Sequence, residues 1–309
     1  TGWRRNRRSL NTWGVRKSFF FLRPTSSPTR CPLPPLLQLF GCAAAAQVKT
    51  SRETKGQFLS ANMAFSVGVM AAMYIFLFVI VWCVTGAHLN PAVSLSFCVL
   101  GQMSWKKLVP YSLSQLLGAY LASGLVFCVY YDAIMEFSGG VLTVTGPNET
   151  ASIFATYPSE YVSLTSSFLD QIVGTAMLMM CILPLGDEHN TPAPPGLIPP
   201  IVGAIVLGIS TGMSSNCGGA INPARDLGPR LFTLTAGWGT EVFSCYGYWF
   251  WVPLVAPMIG GVIGTMVYQL ISTRENRVYS GKELMKEDRV RTEQILTCIY
   301  TFSLFLLEL

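Results

Sequence analysis

The triplet Asn-Pro-Ala occurs twice, at Asn90-Pro91-Ala92 and at Asn222-Pro223-Ala224, 132 residues apart. Each copy heads an apolar segment, 91–100 and 223–234, about half the roughly 20 residues that a membrane-spanning helix needs. Segments of that length read as re-entrant rather than spanning. Around them lie longer apolar stretches at 59–84, 108–131, 168–185, 197–213 and 248–271. A sixth, 33–48, is short and Ala-rich and would barely cross. Each half therefore reads helix, helix, half-helix, helix. Three spans per half is an odd number, so the second copy enters the bilayer from the opposite side. That is the inverted-repeat arrangement in which interrupted helices meet near the midplane.

Composition agrees. Of the 309 residues 51% are hydrophobic and 12% charged, where soluble domains carry about 25% charged residues. This excludes an ordinary soluble enzyme and a disordered chain. The net charge of +5 is not spread as a basic face, which argues against nucleic acid as a partner. It is concentrated instead in Arg4, Arg5, Arg7, Arg8, Arg16, Lys17, Arg23 and Arg30. The nine cysteines include no C-x-x-C pair and no His at metal-ligand spacing, so no metal or cofactor is expected. Cys42, Cys83, Cys98, Cys128 and Cys181 fall in apolar stretches and read as small buried hydrophobes.

Charge also sets orientation. The segment 132–167 has no Lys or Arg, and it holds Asn148-Glu149-Thr150, an acceptor for glycosylation at Asn148. Basic residues crowd the N-terminus, Lys106-Lys107 and 274–291. Positive-inside counting places both termini in the cytoplasm and Asn148 outside. Lys49, Arg52 and Lys55, which would lie outside, fit this poorly, as does the acidic segment 186–195, which would lie inside.

The chemistry of the two turns follows from their residue types. Proline suits the first turn of a helix, where its missing N–H has no partner to lose. The asparagine before it caps the helix through its side-chain oxygen and leaves its NH2 as a donor. Two such turns head to head place Asn90 and Asn222 side by side, with the positive ends of both half-helix dipoles facing one spot. A water or hydroxyl oxygen can accept from both amides, while cations and a proton wire are refused. Arg225, one turn into the second half-helix, is costly at membrane depth unless it faces water or a partner. It suits a fixed donor for hydroxyl oxygens; the competing readings are an ion pair with Asp226 or snorkelling to the outer mouth.

These residues carry a resemblance. The strings Gly86-Ala87-His88-Leu89-Asn90-Pro91-Ala92-Val93-Ser94 and Asn222-Pro223-Ala224-Arg225-Asp226-Leu227-Gly228-Pro229-Arg230-Leu231-Phe232 are similar to the major intrinsic protein (aquaporin) family. Ala236-Gly237-Trp238-Gly239 and Phe154-Ala155-Thr156-Tyr157-Pro158 add to the match, which runs from about Leu36 to Thr273. Asp226 directly after the arginine marks the aquaglyceroporin branch. The resemblance implies an all-α membrane protein: an aquaporin-like inverted repeat of six transmembrane helices and two re-entrant half-helices, the first helix truncated. It implies a homotetramer with one pore per subunit, in the plasma membrane, passing glycerol, water and small neutral solutes such as urea. Carried over by position, the narrowest point consists of Phe65, Ser210, Gly219 and Arg225. His88, on the cytoplasmic approach, has two readings, a gating group or a structural hydrogen bond. Asp170, beside Gln171, occupies the family's buried acidic position and is expected to brace re-entrant backbone. The small residues of Gly118-Ala119 and 260–264 are expected to allow close helix crossing.

The chain divides into a basic, non-family segment 1–34, a channel domain 35–273 and a cytoplasmic tail 274–309. It begins with Thr1 rather than Met, which points to a fragment or a misassembled gene model; 1–34 reads as an inside-facing tail or a misread exon rather than a transit peptide. The stretch between Tyr74 and Gly86 is about five residues longer than the family pattern, more than one helical turn. It is expected to push the first re-entrant loop out of register or to bulge the helix. The tail turns apolar from Ile295, too short to span, and suits a membrane-surface helix. The activity expected is passive conduction, with no catalytic residue. The alternatives are a non-conducting or scaffold isoform of the same fold, and a secondary transporter. A transporter needs an ionisable pair, and intramembrane charge here is read as limited to Asp170 and the Arg225–Asp226 pair.

Overall fold

The computed structural model describes residues 35–78, 88–187, 190, 192–279 and 293. Among them there is no β-strand. The helices are α1 (Pro35–Thr50), α2 (Phe58–Phe78), α3 (Pro91–Val99), α4 (Leu108–Ser138), α5 (Leu164–Ile182), α6 (Ile198–Cys217), α7 (Pro223–Thr233), α8 (Glu241–Tyr248) and α9 (Val252–Tyr279). Five helical stretches are long and apolar enough to cross a membrane. The described α1 has 16 residues, about 24 Å, against a hydrocarbon core of about 30 Å.

Packing repeats with two-fold pseudosymmetry. α1 lies against α2 and α4, as α5 lies against α6 and α9, and α2 meets α6 across the centre. Each half-helix is held by the last long helix of the opposite half, α3 by α9 and α7 by α4. Small residues make this possible. A Cβ on Gly228 of α7 would lie 2.7 Å from the Leu116 carbonyl oxygen and 2.8 Å from the Cβ of Ala119, while one on Gly261 of α9 would lie 2.9 Å from Ser96 Oγ. Where α9 crosses α5, Cβ atoms on Gly260 and Gly264 would each sit 2.3 Å from a carbonyl oxygen, of Ile172 and Ala176. The buried hydroxyls of Ser96, Ser123, Thr175 and Thr265 bond the carbonyl one turn back, which satisfies them without water. Outward, Val109, Leu113, Leu117, Leu121, Leu125 and Val129 form an exposed stripe at four-residue spacing along α4, as a lipid-facing helix requires.

Some expectations change. α4 continues past 131 because its final turns are amphipathic, with Ile134 and Phe137 buried and Asp132 and Glu136 exposed; it stops at Gly139 in the left-handed region (φ 66°). α8 was not anticipated. Cys42 and Cys98 are buried, but Cys128 and Cys181 are exposed on the outer surface of the subunit, so a cysteine in an apolar stretch here faces outward as readily as inward. The first re-entrant loop is not out of register, because Asn90 meets its counterpart loop directly. The long stretch itself, 79–87 with Cys83, lies outside the described residues, as do 1–34 and the apolar tail.

Three of the misfitting charges, Lys49, Arg52 and Asp187, find partners. Lys49, at the end of α1, pairs with Glu149 and bonds Ser152 Oγ at 3.1 Å, beside the exposed Asn148. Arg52 lies 4.8 Å over the Phe137 ring. At the other end Asp187 accepts from Tyr268 (2.6 Å) and Ser272 (3.2 Å) of α9.

Candidate pore and its constriction

The two Asn-Pro-Ala turns have almost the same backbone. Asn90 (φ −153°, ψ 122°) and Asn222 (φ −152°, ψ 107°) both cap their half-helices from extended conformations. Asn90 Oδ1 accepts from the Ala92 N–H (2.9 Å), and Asn222 Oδ1 from Ala224 (3.0 Å) and Arg225 (3.3 Å). The amide nitrogens are not wholly free, contrary to the sequence reading. Asn90 Nδ2 donates to the Ile221 carbonyl at 2.8 Å, and Asn222 Nδ2 to the Leu89 carbonyl at 2.9 Å. Each NH2 has two hydrogens, so the cross-bond uses one and leaves one. To present those carbonyls, Leu89 (φ 55°) and Ile221 (φ 38°) sit in the left-handed region. That is an outlying conformation for bulky side chains, of order 1–3 kcal/mol each.

A cavity of about 130 Å3 runs past both turns. All four residues expected at the narrowest point line it: Phe65, Ser210, Gly219 and Arg225. Arg225 lies 4.6 Å over the Phe65 ring and donates from Nη1 to the Phe154 carbonyl at 3.1 Å, so the guanidinium is fixed on a face and at one edge. The ring reaches this place because α1 offers Gly41 there: a Cβ on Gly41 would sit 2.0 Å from Phe65 Cε1. Gly219 has φ 55°, and a Cβ there would approach Ser214 Oγ to 2.5 Å.

Asp226 does not pair with Arg225. Neighbours in a helix diverge, whereas i and i+4 meet, and the partner is Arg230: Nε to Oδ1 2.8 Å, Nη2 to Oδ2 3.1 Å, both residues buried. Arg230 also donates to the carbonyls of Val242 and Thr156 and stacks on Tyr157. Thr156 in turn donates its N–H to Asp226 at 2.8 Å. The buried pair thus clamps the loop that carries Phe154, and through its carbonyl orients Arg225. Buried charge extends to Arg230, beyond what the sequence reading allowed. The Asp226/Arg230 spacing was there to be seen; the Phe154 acceptor, a backbone group, was not.

Asp170 does not itself touch re-entrant backbone. It accepts from Gln171 (3.1 Å) and Asn216 (2.9 Å), and Gln171 Oε1 then accepts the Ile221 N–H at 2.8 Å. His88 lines the cavity, shares a 3.0 Å hydrogen bond with Ser94 Oγ and stacks at 4.8 Å on Phe97. Since Ser94 donates to the Asn90 carbonyl and accepts from Gln115, His88 Nδ1 is the donor to it. Among the described residues no cluster of three or more His, Cys, Asp or Glu could hold a metal ion.

The major intrinsic protein family model matches residues 35–268. The chain belongs to that family. This major intrinsic protein is 51% identical to human aquaporin-10 over 76% of its length and 77% of the relative's. It is 44% identical to human aquaporin-9, over 76% and 78%. Among solved structures it is similar to the aquaglyceroporin from Plasmodium falciparum, with a TM-score of 0.67 and 28% identity over 76% of this chain and 90% of that one. Membership makes it a channel protein and not an enzyme, integral to a membrane.

Proposed function

We propose that the chain is a passive channel for glycerol, water and other small uncharged solutes, with residues 35–273 as the conducting domain. The observation that carries this reading is the reciprocal pair of Asn90 and Asn222 bonds at the head-to-head half-helices, beside a cavity wall where the Arg225 cation lies over the Phe65 ring. A neutral solute passes by exchanging its water for fixed donors, the remaining amide hydrogens at mid-channel and Arg225 at the constriction. A cation meets two positive helix ends and a guanidinium. The Phe65 face takes the carbon edge of a polyol. Flow follows the gradient, and no energy source enters.

Asp226 supports the constriction through Arg230, and His88 supports the first turn through Ser94. The exposed Asn148 suits glycosylation, and the pairing of Lys49 with Glu149 relieves the charge conflict with an outside location for that end. Cytoplasmic termini, a plasma-membrane location and a homotetramer belong to this reading, the last resting on the family. Stopped-flow light scattering on proteoliposomes under glycerol and then sucrose gradients tests it. Flux above that of empty liposomes, lost in Asn222→Asp or Arg225→Glu, is the expected result. Flux equal to that of empty liposomes from inserted protein overturns it and leaves the non-conducting scaffold.

A further inference from the structure

Asn148-Glu149-Thr150 is the only Asn-x-Ser/Thr triplet in the chain, and the fold treats its three residues differently. Asn148 is exposed. Glu149 pairs with Lys49, and its Oε2 accepts the Ser152 N–H at 3.1 Å. Thr150 is 0% exposed, and its Oγ1 accepts from Trp238 Nε1 at 3.1 Å. Its backbone is engaged as well: the Thr150 N–H donates to the Thr143 carbonyl, and the Thr150 carbonyl accepts from the Ile153 N–H, both at 3.2 Å. Trp238 is itself buried, and its ring packs 5.6 Å from that of Phe154, whose carbonyl holds Arg225. Asparagine is the acceptor of the sugar, but the triplet is a signal only because the transferase also reads the hydroxyl two residues on. Here that hydroxyl is inside.

From this placement we infer that the folded chain closes its own glycosylation site: Asn148 is modified only before Trp238 covers Thr150. The inference rests on the reading of Asn148 as an outside-facing acceptor and deepens it, by naming what regulates the site. In the transfer, Asn148 Nδ2 attacks the first sugar carbon of an oligosaccharide carried on a polyprenyl diphosphate. A C–N bond forms, the C–O bond to the diphosphate breaks, the lipid diphosphate leaves and Nδ2 releases one proton. Asn148 itself is placed for this, and the obstacle lies two residues away. Trp238 stands 88 residues beyond Thr150, so the hydroxyl stays readable until the second half has packed. Afterwards, reaching it requires pulling Trp238 away from Phe154 and Thr150, a local opening of buried, hydrogen-bonded structure. The glycan is therefore added to chains whose constriction is not yet assembled.

The test uses the full chain in a cell that glycosylates, with the supply of lipid-linked oligosaccharide blocked during a labelling pulse and restored after translation is stopped. Occupancy is read as the gel shift that an endoglycosidase removes. Chains made without the block should carry a glycan that is absent from Asn148→Gln. Wild-type chains made under the block should stay unmodified once it is lifted. Trp238→Leu, which removes the cover and its N–H donor but leaves the triplet intact, should gain glycan after the block is lifted, in chains that run as folded protein on size exclusion in detergent. Late modification of folded wild-type chains overturns the inference alone, and a folded Trp238→Leu chain that stays unmodified overturns the role given to Trp238. If that variant does not fold, the wild-type arm decides. Absence of glycan from chains made without the block removes the reading of Asn148 as an acceptor, and this inference with it.

Discussion

The two halves present matching Asn-Pro-Ala turns on unequal supports. In the second half the turn is braced from below by Gln171, held by Asp170, and from beside by the Asp226–Arg230 clamp on the Phe154 loop. In the first half, among the described residues, no side chain accepts the Leu89 N–H as Gln171 accepts that of Ile221. The turn relies instead on the His88–Ser94–Gln115 chain within its own neighbourhood. The lesson is that a repeated motif does not imply repeated engineering around it. The half that carries Arg225, the proposed selective cation, is the half with the more extensive bracing, since a guanidinium selects among solutes only if it stays put.

This asymmetry can be broken in graded steps. The largest effect is expected from Arg230→Ala, which leaves Asp226 buried and unpaired: about 3–5 kcal/mol lost, read as a fall in thermal unfolding temperature in detergent, with glycerol flux lost as Arg225 loosens. Next is Gln171→Leu, which strands the Ile221 N–H for about 1–3 kcal/mol in the same assay. Asn222→Ala should cost about 2 kcal/mol and Asn90→Ala about 1, because Asn222 caps two N–H groups and Asn90 one. Smallest is Lys49→Ala, whose partly exposed pair with Glu149 is worth under about 1 kcal/mol. Equal costs for Arg230→Ala and Lys49→Ala would remove the contrast between the halves.

Legibility followed locality. The caps, half-helices and inverted order could be read because each is written within a few residues: Pro after Asn, Gly at crossings, apolar length. Phe65 was placed beside Arg225 only by counting along the family pattern, and the structure then showed why it fits, at Gly41. What escaped was carried by backbone groups or by choice of partner. Leu89 and Ile221 occupy positions where φ is positive, yet they lack the Gly or Asn that normally signals one. Phe154 acts through its carbonyl, and Asp226 was read with its neighbour instead of the residue one turn on. Exposed Cys128 and Cys181 show that hydropathy along a membrane helix does not tell the subunit's outer surface from its core.

The exchange of bonds between Asn90 and Ile221 and between Asn222 and Leu89 also fixes when this protein can become a channel. The partners are 131 and 133 residues apart, so neither turn can be satisfied while only the first half has left the ribosome. Contacts this distant in sequence close late in folding. Biogenesis therefore ends where conduction begins, with the mutual capping of two loops synthesised far apart in time.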